Sequence, residues 1–254
     1  MKKIELSKFS KLITNSINDK NFFHRVWSTN SSIYRNRLKA INFTTKSKVL
    51  DAGCGYGQWS FPMAYLNKEV FSIDNSKQRI VICKNINKEL KFKNLKFLVG
   101  SVEDIQFKNS TFDAIFAYGI IMATNWKRTL QEFSRVLKKG GELYFTANEL
   151  GWYLNILINN YNETADYNTK DAFITTIQNT ERYRLNKKIK LHQGHIIISK
   201  EELFEECRKN KLKVINYADE GKIILNKNIK KTKSFFKGKY FGYTGCYEIL
   251  LKKI

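Results

Sequence analysis

The chain has 254 residues, 43% of them hydrophobic, and its 45 Lys and Arg outnumber 23 Asp and Glu for a formal net charge of +22. That composition fills the core of one α/β domain with additions, and the charge predicts attraction to nucleic acid, phosphorylated metabolites or lipid head groups without choosing among them. Cys54, Cys83, Cys207 and Cys246 form no CxxC pair, the start has no continuous apolar h-region and no run approaches the length of a membrane span, so the expectation is a cytoplasmic protein with reduced thiols.

Apolar periodicity predicts two amphipathic helices, 4–18 and 22–41, ahead of the first strand, placed to form a lid over whatever the next segment binds. Short apolar runs then alternate with helical stretches: strand 49–50, helix 57–66, strand 70–73, helix 76–90, strand 95–99, strand 112–117, helix 126–137 and strand 142–146. Strands separated by helices imply parallel pairing through right-handed crossovers, and runs this apolar suit strands covered on both faces. After Ala147 the rhythm changes to two helices, 150–160 and 169–183, with no strand between them, which reads as an insertion. Helix 199–209 follows, opened by a capping box of Ser199 and Glu202, then strand 212–217 and a last strand 247–251. The intervening 222–239 stretch carries seven lysines and no acid, with Phe235 and Phe236 among them.

The densest signal is VLDAGCGYGQWS at 49–60, in which Asp51 ends a strand and Gly53, Gly55 and Gly57 follow at alternate positions. Glycines so spaced admit φ > 0 and let a ligand approach main chain that no Cβ shields. A dinucleotide fingerprint needs G-x-G-x-x-G, and position 58 is Gln. Asp74, at the end of VFSID, stands where a carboxylate accepts both hydroxyls of a ribose, or where it merely caps a helix.

Together these segments resemble class I S-adenosylmethionine-dependent methyltransferases of the small-molecule and glycan type. VLDAGCGYG is similar to their first motif, FSIDNS to their ribose motif and FLVGSVEDIQF to the third-strand segment that meets the adenine. FDAIFAYGIIMATNW with LQEFSRVLKKGGELYFT resembles their fourth-to-fifth-strand unit. The resemblance implies a Rossmann-like, seven-stranded mixed sheet with the last strand antiparallel, a helical N-terminal lid (1–45), a cofactor-binding core (46–147), an acceptor-side insertion (148–198) and C-terminal strands with a basic hairpin (199–254). It implies S-adenosyl-L-methionine as cofactor and S-adenosyl-L-homocysteine as product, with no metal. Asp51, Gly53 and Gly55 would surround the methionine end, Asp74 the ribose and Asn75 the adenine; Ser101, Val102 and Glu103 would edge that ring, and Tyr118 would lie beside the sulfonium. Relatives commonly carry Asp where Ser101 stands, so the adenine amino group would turn to Glu103, Ser101 or main chain.

The sulfonium already carries an activated methyl group, so the enzyme must mainly align an acceptor with it. For a neutral hydroxyl acceptor a base helps, and His192 and His195 in LHQGHI are the candidates, with turn or core histidines as the plainer alternative. Tyr34 and Arg35 on the lid, and Glu149 and Tyr153 after the fifth strand, are candidate lid or acceptor contacts. The fourth strand ends in AYGI, which argues against methylation of exocyclic base amines. The expected acceptor is a small anionic metabolite or sugar, such as a phosphate- or phosphoramidate-bearing or nucleotide-linked precursor of a surface glycan. RNA, engaged through 222–239, is the alternative; a non-catalytic cofactor-binding partner subunit is another.

Overall fold

The computed structural model describes residues 6–13, 16–191 and 194–254. The N-terminal helices are divided differently from the expectation: α1 (Leu6–Ser10), α2 (Ile17–Ser28) and α3 (Ser31–Ala40). The breaks have local causes. Ser16 Oγ accepts the Asp19 N–H at 2.9 Å to start α2, and the Asn30 side chain accepts the Ser32 N–H at 2.9 Å to start α3, so capping residues inside an apolar periodicity end one helix and begin the next.

From β1 (Lys48–Ala52) onward the α/β alternation is as expected: α4 (Ser60–Leu66), β2 (Glu69–Asp74), α5 (Lys77–Leu90), β3 (Leu95–Val99), β4 (Phe112–Ala117), α6 (Trp126–Val136) and β5 (Leu137–Asn148). β5 starts five residues earlier than its apolar run. Its pairing with β4 jumps from Phe112↔Leu137 to Ala114↔Glu142, a bulge built from the Lys-Lys-Gly-Gly stretch with Gly140 at φ +76°, where the sequence suggests only a turn. The insertion supplies α7 (Leu150–Asn159) and α8 (Thr169–Arg184). α9 (Lys200–Lys209), β6 (Leu212–Asp219), a small hairpin of β7 (Lys239–Tyr240) and β8 (Tyr243–Thr244), and β9 (Cys246–Lys253) complete the described chain. The 222–238 stretch is irregular; the hairpin begins at Lys239, the last of the seven lysines.

The seven strands run β3-β2-β1-β4-β5-β9-β6, parallel through β5, with β9 antiparallel to both β5 and β6. β1 pairs with β2 on one side and β4 on the other. Chain order therefore reverses at β1, and in such sheets the ligand crevice lies at the carboxyl ends on either side of that switch. One apolar layer joins α6 and α9 to one face of the sheet, and another joins α3, α4 and α5 to the opposite face. A satellite of Trp152, Tyr153, Ile156 and Cys246 seats the insertion. All four cysteines are buried and free. Among the described residues no helix is long and apolar enough to cross a membrane.

Candidate active site

Asp51 ends β1 at 2% exposure, and Ser60 Oγ, at the start of α4, donates to its Oδ2 at 2.5 Å. Burial, aided by the neighbouring Asp74 and opposed by the Ser60 hydrogen bond, pushes its pKa up to about 7. The turn that follows holds Gly53, Gly55 and Gly57 at φ +73°, +55° and +78°. A Cβ on Gly53 would stand 2.7 Å from the Ile120 side chain, and one on Gly57 would stand 2.9 Å from the Phe61 ring. Glycine is therefore required twice over at both positions, by conformation and by close approach.

Asp74, also buried, ties this turn to the next helix. Its Oδ2 accepts the Gly55 N–H and its Oδ1 the Ser76 N–H, each at 2.9 Å. Each carboxylate oxygen keeps a second lone pair for a hydroxyl, so the helix-capping and ribose readings of this residue are compatible. Asn75 and Ser101 are exposed nearby at the strand ends, and Val102 is buried. Glu103 is turned toward α6: its Oε1 accepts the Asn125 N–H at 3.0 Å and its carbonyl accepts Arg128 Nε at 2.7 Å. That occupation leaves Ser101 and main chain as the simpler partners for a ring at this edge.

α2 lies across the glycine turn, as the lid expectation has it. The Phe22 ring is 3.3 Å from where a Gly55 Cβ would be, Trp27 Nε1 donates to the Tyr56 carbonyl at 3.1 Å, and Asp19 bridges Arg79 and the Tyr56 hydroxyl at 2.6 Å each.

Beside the turn opens a cavity of about 310 Å3. Its walls are aromatic and apolar: Phe22 and Val26 of α2, Tyr34 of α3, Trp59, Tyr118, Met122, Trp152, Phe235 and Phe236. The polar groups are few, among them Arg25, Gln58, Thr146, Asn148, His195 and Glu220. Among the described residues Gln58 Oε1 is buried with no hydrogen-bond partner, an orphan acceptor beside the glycine turn. His195 stands 3.2 Å, through Nδ1, from the Tyr153 hydroxyl, and loss of solvent pulls its pKa down to about 4. It is therefore neutral at physiological pH.

Of the sequence candidates, Tyr34, Tyr118 and His195 line this cavity. Tyr153 reaches it through His195. Arg35 does not line it: its guanidinium donates to Ser31 Oγ at 3.0 Å and lies over the Tyr65 ring, away from the cavity. Glu149 precedes α7 and accepts the Tyr217 hydroxyl at 3.4 Å, also outside the lining. His192 lies outside the described residues.

Sequence reasoning missed the cluster that backs the cavity. Arg37, 5% exposed, donates to Glu220, to Glu248 Oε2 at 2.8 Å and to the Tyr144 hydroxyl at 2.7 Å. Glu220 also accepts the Tyr118 hydroxyl at 2.8 Å and the Phe235 N–H at 2.7 Å, while Glu248 accepts the Tyr144 hydroxyl and the Ile223 N–H. The guanidinium is ringed by Trp59, Tyr118 and Phe235 within 5.7 Å of their centroids. Burial beside carboxylates raises the Tyr118 and Tyr144 phenols well above their ordinary value. One signal was available: Glu248 is a lone acid in the apolar run CYEILL, and a charge there requires a buried partner.

A sheet of this order, with a glycine turn after its first strand and an acid closing its second, is the architecture of class I S-adenosylmethionine-dependent methyltransferases. Residues 43–215 match the family described as a methyltransferase domain, and the chain belongs to it. Members of this class take the methyl group from S-adenosylmethionine, and the glycine cradle, the buried Asp51 and the orphan Gln58 acceptor fit that cofactor's cationic amino acid end.

Curated relatives include the demethylmenaquinone methyltransferase of Lactococcus lactis, 31% identical over 110 residues, which span 42% of this chain and 44% of the relative. That of a Geobacillus strain is 29% identical over 110 residues, 42% of this chain and 47% of the relative. The chain thus spans about half the length of these curated relatives. Among solved structures, geranyl diphosphate C-methyltransferase from Streptomyces coelicolor superposes with a TM-score of 0.62 at 16% identity, covering 95% of this chain and 84% of that one. A Haloferax volcanii protein described as a putative methyltransferase, in complex with the Trm112 activator, gives 0.60 at 16% identity over 99% of both. At such identities the likeness is one of fold.

Proposed function

We propose that this protein transfers the methyl group of S-adenosylmethionine to a small, largely apolar or aromatic acceptor seated between α2, the insertion and residues 235–236. The observation that carries this reading is the composition of the 310 Å3 cavity, with aromatic walls that run from the glycine turn at Gln58 and Trp59 to His195. The names of the quinone and isoprenoid methyltransferases among the similar proteins agree with it.

In this reading Asp51 and the Gln58 carbonyl receive the cofactor's ammonium, Gly53 and Gly55 admit its methionine end, and Asp74 accepts the ribose hydroxyls. Asn75, Ser101 and Val102 border the adenine, while Glu103 keeps its place on α6. Tyr118 and Trp59 line the cavity beside the glycine turn, where aromatic rings would attract the sulfonium cation. The cavity wall aligns the acceptor with the methyl group. His195, neutral and held by Tyr153, takes the acceptor's proton; a base this weak suits an acidic hydroxyl or an activated carbon better than a sugar alcohol.

An anionic sugar or phosphate acceptor finds less support, because among the described residues Arg25 is the only Lys or Arg lining the cavity and it is already bonded to Asn162. RNA would need an open basic groove, and these walls are aromatic. The test is calorimetry with S-adenosylmethionine and S-adenosylhomocysteine, followed by mass-spectrometric detection of methylated product from panels of phenols and quinols, prenyl compounds, sugar phosphates and RNA. Product from the first two panels is expected. Product from sugar phosphates or RNA alone refutes the acceptor class, and failure to bind the cofactor refutes the whole reading.

A further inference from the structure

The hairpin of β7 and β8 joins Tyr240 to Tyr243 through two residues, Phe241 and Gly242. Both lie at positive φ, +52° and +82°, as a type I′ turn requires, and the residue suited to the first of these positions is Asn or Asp. Phenylalanine there is strained. It is also exposed: Phe241 and Tyr243 leave 52% and 53% of their surface in solvent. A strained backbone position occupied by an exposed aromatic serves no packing purpose and points to a use outside the fold.

The tip is held firmly. Gly151 at the start of α7 lets the backbone of Tyr243 and Thr244 pack where a Cβ would come within 2.5 Å of a carbonyl. Lys237 and Lys239 precede the tip, and all seven lysines of 222–239 are exposed. None of the seven is in an ion pair among the described residues. The other two phenylalanines of this region, Phe235 and Phe236, face inward onto Trp59 and Trp152, so they cannot stack nucleic-acid bases along a lysine-lined track. What remains outside is an aromatic tip, Phe241 with Tyr243, next to the exposed cations Lys237 and Lys239.

We propose that this hairpin docks the protein on an anionic lipid surface, Phe241 and Tyr243 entering the head-group region and the lysines meeting lipid phosphates. A second opening of the protein, lined by Tyr240, Gly238 and Lys237, shares Phe235 and Phe236 with the aromatic cavity. The surface role stands apart from the acceptor reading and survives its failure.

The test is co-sedimentation of the intact protein with vesicles of phosphatidylcholine alone or with about one third phosphatidylglycerol, with poly(U) RNA as competitor. Binding only to the anionic vesicles is expected. Phe241→Asn supplies the turn's preferred Asn-Gly pair, so it should keep or raise the Tm while weakening vesicle partitioning about tenfold. Lys237→Gln and Lys239→Gln should each weaken it about fivefold. Sedimentation of Phe241→Asn at the wild-type level, equal binding to neutral vesicles, or binding to poly(U) without binding to vesicles would each overturn the proposal.

Discussion

Replacing Arg37 with Met is the sharpest perturbation this structure offers. The guanidinium and its two carboxylate partners are each at most 5% exposed, and the substitution leaves Glu220 and Glu248 facing each other with hydroxyl and main-chain donors only. Removing one partner of such a buried set costs about 3–5 kcal/mol, a large share of the roughly 5–15 kcal/mol that holds a domain folded. For a chain of this length the Tm should fall by roughly 10 °C. Urea denaturation followed by circular dichroism measures the change, with an unchanged m-value marking it as a loss of stability. The triple substitution Arg37→Met, Glu220→Gln, Glu248→Gln should regain most of the loss, because neutral amides keep hydrogen bonds without stranded charge. A single-variant loss below about 1 kcal/mol, typical of exposed pairs, would refute the account of this cluster.

If Asp51 receives the cofactor's ammonium as proposed, it should tie cofactor affinity to pH. With its pKa near 7, binding of a cationic ligand should release a proton and weaken about tenfold per pH unit below 7; calorimetry in buffers of different ionisation heat checks this, and flat affinity contradicts it. In the unliganded protein the same raised value is a stability contribution present below about pH 4 and lost as pH rises toward 7, about 4 kcal/mol at most. Thermal scans of Asp51→Asn should lack that decline. His195 acts in the opposite sense: its lowered pKa, about 4 against an ordinary 6.5, costs stability as pH falls from 6.5 to 4, and His195→Asn should remove that loss in the same scans. Gly53→Ala, placing a Cβ 2.7 Å from Ile120 at φ +73°, should abolish S-adenosylmethionine binding in calorimetry and lower stability by about 1–3 kcal/mol in urea.

The half of the fold that positions the cofactor was legible because local chemistry and tertiary role coincide there. VLDAGCGYG can make little besides a strand and a tight turn, and Asp74 closes a run whose apolar content demands a covered strand. Boundaries failed where two signals compete, as at Asn30, a capping residue inside an unbroken apolar periodicity, and at Lys138–Gly141, where a turn-like sequence is absorbed as a bulge. The back of the cavity was opaque for another reason. Arg37, Glu220 and Glu248 are 183 and 211 residues apart from arginine to acid, and no periodicity reports a pairing across such separations. Only the isolation of Glu248 in an apolar strand hinted at it.

β9 follows β6 in the chain yet lies between β5 and β6, which sets the order in which the molecule is assembled during synthesis. The polypeptide emerges N-terminal end first, so β5 and β6 lack the partner that joins them in one sheet until Cys246–Lys253 is available. The same eight residues bring Glu248, the last member of the Arg37 cluster. The growing chain therefore holds its glycine turn early and completes the wall of its aromatic cavity late, and a released chain truncated before Cys246 should be protease-sensitive from β6 onward.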